Sequence, residues 1–209
     1  MDTVMGRREA NKADKLRRLT TEALRLFREQ GYDRTSIEHI VSAAGVARGT
    51  FYLYFADRAS LFDSLLDTWF SPLLDLLAEE YERLEEATSR EESRAIYEDI
   101  GGRAAMLAME HGEPLLLAFQ EARSPGEAGD RVRVREQQLL NVIVSLTAVA
   151  ADRELIDAPM PDVASRVVMG AVEKMFYDVL ATDWDVDPMA VGRETVRLLT
   201  ASLGVPSIP

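Results

Sequence analysis

The chain has no cysteine in 209 residues, which excludes disulfides, thiolate nucleophiles and cysteine-ligated metals. Histidine is scarce too: His39 and His111 lie far apart, and neither belongs to a metal-spaced cluster. No window approaches the ~18 apolar residues of a membrane-spanning helix. The opening MDTVMGRREANKADKLRR is charged and lacks the apolar core of a signal peptide. A cytoplasmic protein without a membrane partner is therefore expected. No period-two apolar run is bounded by turn residues, so strands are not expected. There is no nucleophile elbow, P-loop or dinucleotide fingerprint. Glu79-Glu80, Glu85-Glu86 and Glu91-Glu92 read as solvated helix faces. Together these absences argue against an enzyme and predict no cofactor and no metal.

What is present is concentrated in residues 35–58, TSIEHIVSAAGVARGTFYLYFADR. Thr35-Ser36-Ile37-Glu38 fits a capping box, the Thr35 hydroxyl accepting from the Glu38 amide. Ile37, Ile40, Val41 and Ala44 recur at helical spacing and form one apolar face. Gly45 fits the left-handed position that ends such a helix, and Val46 fits the buried residue of a turn. A second short helix is expected over residues 47–53, leaving Arg48, Thr50, Tyr52 and Tyr54 as its polar and aromatic groups. Asp57 fits the N-cap of the next helix. Upstream, Leu16, Leu19, Ala23 and Phe27 mark a helix that stops at Gly31, with Tyr32 packing back onto it. Two short helices around a tight turn are how a small domain sets one helix into the major groove of DNA.

The pattern T-x-x-x-x-I-x-x-x-A-G-V-x-x-G-T-x-Y-x-Y-F-x-x-[KR]-x-x-L resembles the DNA-binding head of the TetR family of bacterial transcriptional regulators. The resemblance covers residues 12–66 and is strongest over GVARGTFYLYFADRASL. Leu53 stands where a second aromatic is frequent, Tyr54 where His is frequent, and Arg58 where Lys is usual. By matching the motif, Arg48 is the residue to read bases, because a guanidinium pairs bidentately with guanine O6 and N7. Thr50 would touch a thymine methyl or a phosphate. Tyr52, Tyr54 and Arg58 would hold phosphates and fix register, Thr35 and Ser36 would offer amides and hydroxyls to phosphate, and Gly49 would permit close approach. The resemblance implies a helix-turn-helix domain over residues 1–56 and an effector-binding and dimerisation domain over residues 57–209. It also implies a double-stranded DNA operator and a small-molecule effector as partners.

The net charge of −12 fits a DNA binder only once it is divided. Residues 1–60 hold 11 Lys/Arg against 8 Asp/Glu, a balance of +3, and the remainder 13 against 28, a balance of −15. Arg7, Arg8, Lys12, Lys15, Arg17 and Arg18 cluster where phosphates would run and would displace their counterions.

The rest of the chain reads as all-α, about nine helices in total. Pro72 is expected to kink or break the fourth, Gly101-Gly102 to bend the fifth, and the ends, residues 1–10 and 205–209, to be disordered. Gly170 and Ala171 allow close approach of another helix. In the family that the head resembles, the last two helices form a four-helix bundle with a second copy. On that basis Val167, Gly170, Ala171, Val196, Leu199 and Leu203 are expected at a homodimer interface, and a two-fold dimer would read a pseudo-palindrome.

The implied effector cavity would draw on Trp69, Phe70, Met106, Met109, Phe119, Gln120, Asn141, Phe176 and Tyr177. For each of these a core position is the plain alternative. Asn141, between Leu140 and Val142, is expected as a buried amide in need of a partner. His111 fits a helix C-terminus better than a ligand site. An apolar, methionine-rich cavity would suit a hydrophobic effector. The function expected is a repressor released from its operator by such an effector. The alternative is a hydrophobic-ligand carrier or adaptor with a vestigial head.

Overall fold

The computed structural model describes residues 2–182 and 184–202, and these form nine helices and no strand. Leu203 and residues 205–209 lie outside the described residues. The chain divides into two compact units, Met1–Thr68 with Glu113–Val132, and Trp69–Gly112 with Arg133–Pro209.

The first unit is built on α1 (Asp2–Gln30), α2 (Ile37–Ala44), α3 (Arg48–Phe51) and the start of α4 (Arg58–Glu86). Helix α1 extends to Asp2, so residues 2–10 are helical rather than disordered. Leu19, Ala23 and Phe27 recur every fourth residue along it, and all three are fully buried. It ends where the Gly31 amide donates to the Phe27 carbonyl at 2.9 Å. Tyr32 then turns back, its ring 5.4 Å from Phe27 and 4.9 Å from Phe62.

The cap of α2 lies one residue later than the sequence suggests. Ser36 is the N-cap, its Oγ accepting from the His39 amide at 3.1 Å, and the His39 Nδ1 accepts from the Ser36 amide at 3.4 Å. Thr35 is fully buried instead. Gly45 ends α2 at φ 61, where its amide donates to the Ser42 carbonyl and the Val46 amide to that of Val41. A Cβ at Gly45 would also lie 2.6 Å from the Arg18 guanidinium, so both backbone and space require glycine there. Val46 is half-buried rather than enclosed.

Helix α3 is a single turn, shorter than expected, and Phe51 is its fully buried residue. Asp57 caps α4 as expected, its carboxylate accepting from the Ser60 amide at 2.7 Å. Pro72 does not end α4, which runs unbroken to Glu86. Proline removes one backbone bond, that to the Thr68 carbonyl, and the other turns persist.

Helix α6 (Gly112–Ala122) and the beginning of α7 (Glu127–Asp152) complete the first unit. The Glu121 carboxylate, itself buried, accepts from the Tyr32 amide at 3.2 Å, and Glu127 accepts from the Tyr32 hydroxyl at 3.0 Å. Arg131 bridges Asp63 and Glu127.

The second unit holds the rest of α4 and α7 with α5 (Arg90–Glu110), α8 (Pro161–Ala181) and α9 (Pro188–Ser202). Helix α5 runs unbroken through Gly101 and Gly102, and Gly101 has a packing role. It lets α9 in, since a Cβ there would lie 1.9 Å from Val196 Cγ2. Glu80 is fully buried and not a solvated face: Arg83 and Arg103 both reach it, at 2.7 and 2.9 Å, and Arg103 also holds Glu79. Burial still pushes the Glu80 pKa up, against the pull of Arg83. The Ser165 hydroxyl donates to Thr147 Oγ1 at 3.0 Å between α8 and α7. Among the described residues no helix is long and apolar enough to cross a membrane.

Candidate nucleic-acid interface

The α2–α3 turn places a polar group of side chains at the surface of the first unit. Arg48, the first residue of α3, is 61% exposed. Its guanidinium pairs with the Glu38 carboxylate and lies 3.4 Å from the Tyr52 hydroxyl. The Tyr52 hydroxyl and then the Glu38 charge push the Arg48 pKa up. The amide of Glu38 itself, with Arg48 adding to it, holds the Glu38 carboxyl below the usual range, so the pair is ionised at neutral pH. Gly49 is exposed and a Cβ there would meet nothing within 4 Å, so no protein neighbour demands glycine. Thr50 is half-buried and Tyr52 is exposed, its ring edge-on to Phe51 at 5.5 Å. Lys12 and Lys15 are exposed and make no ion pair among the described residues.

Four expected contacts are spent inside the protein. The Thr35 hydroxyl donates to the Gly31 carbonyl at 2.9 Å and accepts from Gln30 Nε2 at 3.1 Å, so it has no surface to offer a phosphate. Arg58 Nη1 lies 3.0 and 2.8 Å from the Tyr32 and Thr35 carbonyls, with the guanidinium 3.9 Å from the Tyr32 ring centroid. It fastens the α1–α2 turn rather than projecting outwards. The Tyr54 hydroxyl donates to the Lys12 carbonyl at 2.9 Å, tying the turn after α3 to α1. Arg18 donates to the Ala44 and Gly45 carbonyls and so closes the C-terminus of α2.

This arrangement is matched by known proteins. Residues 19–65 fit the family model described as bacterial regulatory proteins, tetR family. The chain is similar to the fatty acid metabolism regulator protein of Bacillus subtilis, 22% identical over 92% of this chain and 97% of that one. It is 40% identical to the transcriptional regulator AcrR of Shigella flexneri over 62 residues, 29% of each chain. The fold is that of the regulator FadR from Bacillus subtilis in complex with stearoyl-CoA, with a TM-score of 0.68 at 17% identity, covering 88% of this chain and 97% of that one. The chain has a TetR-type helix-turn-helix head and a C-terminal helical domain, and it is a DNA-binding transcriptional regulator.

The residues proposed for a TetR-type effector cavity are scattered. Trp69 is buried and meets Phe176 edge-on at 6.0 Å in the second unit, and Phe70, next to Trp69 in sequence, is buried too. Met106, Met109 and Tyr177 are exposed on the chain. Asn141 is exposed and accepts from Gln137 Nε2 at 2.8 Å; the amide is not buried. Phe119 and Gln120 fall in the same compact unit as the head, where Gln120 is exposed and donates to the Arg28 carbonyl at 3.3 Å. His111 caps the C-terminus of α5.

Sequence reasoning missed two groups in the second unit. The Ser93 and Tyr97 hydroxyl oxygens, one turn apart on α5, are buried without a hydrogen-bond partner among the described residues. Burial alone raises the Tyr97 pKa, so its hydroxyl stays a neutral donor.

Of the expected dimer residues, Val167 and Gly170 are exposed on α8 and open to approach, and Ala171 is half-buried. Val196 is taken up against Gly101 within the chain, and Leu199 is half-buried.

Proposed function

We propose that this chain is a homodimeric repressor, acting in the cytoplasm, that is released from a pseudo-palindromic operator by an apolar effector of the fatty-acyl type. The observation that carries the DNA reading is the exposed group Arg48, Gly49 and Tyr52 at the start of the second helix of the motif, together with the exposed Lys12 and Lys15 of α1. In this reading Arg48 pairs with guanine O6 and N7, Tyr52 and Ser36 meet phosphates, and Thr50 meets a methyl or a phosphate. Gly49 leaves room for the sugar–phosphate chain.

The dimer reading rests on α8. Val163, Val167, Gly170 and Tyr177 recur at three-, four- and seven-residue steps and all are exposed, leaving an apolar stripe on one helix face. A second copy related by a two-fold axis would cover the same stripe.

The effector class is drawn from the fatty acid metabolism regulator and the stearoyl-CoA complex among the relatives. The unpartnered Ser93 and Tyr97 hydroxyls support it. A buried hydroxyl needs an acceptor, and a ligand carbonyl in apolar surroundings would supply one.

The test is fluorescence anisotropy of the full chain on a labelled duplex carrying the DNA upstream of its own gene. Stearoyl-CoA is expected to weaken binding tenfold or more, whereas acetyl-CoA leaves it unchanged, because the acyl chain carries the burial energy at about 0.8 kcal/mol per methylene. Absence of binding to that duplex at low salt would refute the regulator reading. Binding indifferent to stearoyl-CoA would refute the effector class alone. Arg48→Ala is expected to lose about 1–3 kcal/mol of discrimination between operator and altered operators, measured as the ratio of the two dissociation constants in the same assay.

A further inference from the structure

Leu53 is 75% exposed, more than any other large apolar side chain among the described residues. The backbone that carries it is held in place. Past α3 the turn continues helically, the Leu53 amide donating to the Thr50 carbonyl at 3.2 Å and the Phe55 amide to that of Phe51 at 3.0 Å. Phe51 and Phe55 are both buried, and the Tyr54 hydroxyl is held on the Lys12 carbonyl. Tyr52 and Leu53 are therefore the side chains that this turn sends outward, and only Tyr52 has a polar group to offer. Gly49, four residues before Leu53, has no side chain, and the space about it is open. A single exposed leucine is ordinary on most of a protein surface. This one is rigidly presented within the DNA-binding motif itself, beside Tyr52 and one turn from Arg48.

We infer that Leu53 reads a thymine through its C5 methyl group. This assignment rests on α3 entering the major groove of DNA, as proposed above. Leucine can neither donate to a phosphate nor pair with a base edge. Of the groups displayed in the major groove, the thymine methyl is the apolar one, and the rest are hydrogen-bond donors and acceptors. Against thymine, the leucine and the methyl leave water together. Against cytosine the same place holds a bare C5–H, and less apolar surface is covered. Against a purine the polar N7 loses water and gains no partner. Leu53 thus selects by burial, beside the hydrogen-bonded reading by Arg48, and the two act on different bases.

The experiment replaces thymine by uracil throughout the labelled duplex that carries the DNA upstream of the gene. The C5 methyls are removed and every hydrogen-bonding group stays. Anisotropy titrations on both duplexes compare the full-length wild type, Leu53→Ala and Leu53→Met. Wild type is expected to bind the uracil duplex at least about fourfold more weakly per half-site, the scale of one buried methyl group. A loss that arises at Thr50, or from altered duplex shape, is common to all three proteins, so the change in the thymine-to-uracil ratio isolates Leu53. Leu53→Ala is expected to lose about fourfold per half-site on the thymine duplex and to lower the ratio by the same factor. Its unfolding midpoint should match wild type, because the side chain lies outside the core. Leu53→Met, apolar and similar in volume, is expected to keep most of the wild-type ratio. A Leu53→Ala ratio equal to that of wild type overturns the role of Leu53 and leaves the DNA reading standing. Absence of wild-type binding to the thymine duplex overturns the DNA reading, and this inference with it.

Discussion

Replacing Phe62 with alanine is expected to destabilise the first unit by about 3–5 kcal/mol and to abolish DNA binding near physiological temperature. Phe62 comes from the first turns of α4 and is fully buried. It meets Phe27 edge-on, with ring centroids 5.5 Å apart and planes at 85°, and Tyr32 at 4.9 Å and 64°. Both contacts are in the favoured aromatic geometry and each adds about 0.5–1.5 kcal/mol beyond burial. Truncation removes both and leaves a cavity where α1, the α1–α2 turn and α4 converge. The motif is held from behind by this cluster, because α2 and α3 are too short to be stable alone. Differential scanning calorimetry should show a transition of the first unit lowered by about 12 °C or more, at about 4 °C per kcal/mol for a unit of this size. Phe62→Leu, which keeps most of the volume, should lose less than half as much. A Phe62→Ala midpoint within a few degrees of wild type would mean that the cluster does not hold the head.

The head was legible because its signals are local. Gly45 ends α2 and Asp57 opens α4 through backbone geometry and hydrogen bonds that span three or four residues. Even there, Thr35 and Ser36 offered two adjacent capping hydroxyls, and tertiary context chose between them. Thr35 turns inward because Gln30 and the Gly31 carbonyl satisfy it there. Long-range pairings left no trace in spacing. The Glu80 pair looked like a solvated face because the Arg103 that reaches it comes from another helix. Asn141 looked buried because its neighbours in sequence are apolar. One residue of helix is a rotation of about 100°, however, and that rotation takes it from the buried Leu140 to the surface. The effector-site residues were hardest to read, since an aromatic or methionine at helical spacing carries the same pattern in a core, a pocket or an interface. The unpartnered Ser93 and Tyr97 hydroxyls emerge only from a complete account of hydrogen bonds.

Arg58→Ala is expected to weaken binding to every DNA sequence through loss of structure rather than loss of a phosphate contact. The guanidinium donates to the Tyr32 and Thr35 carbonyls and covers the Tyr32 ring. Hydrogen bonds from a charged donor contribute about 1.5–3 kcal/mol each, and a stacked cation about 0.5–2 kcal/mol. The site is partly open to water, which will replace some of this, so the net loss should be about 2–4 kcal/mol. The loss falls on the turn that sets α2 at its angle to α1, and Tyr32 is also the residue that Glu121 and Glu127 grip from α6 and α7. Loosening Tyr32 therefore frees the motif and its attachment to α6 together. Salt dependence separates the two roles. A lost phosphate contact would reduce the slope of log K against log salt by about 0.9, whereas a structural loss leaves the slope unchanged and lowers the unfolding midpoint. Arg58→Lys should recover only part of the stability, since an ammonium cannot lie flat on the ring while donating to both carbonyls. A full-stability Arg58→Ala with a shallower slope would return Arg58 to the DNA surface.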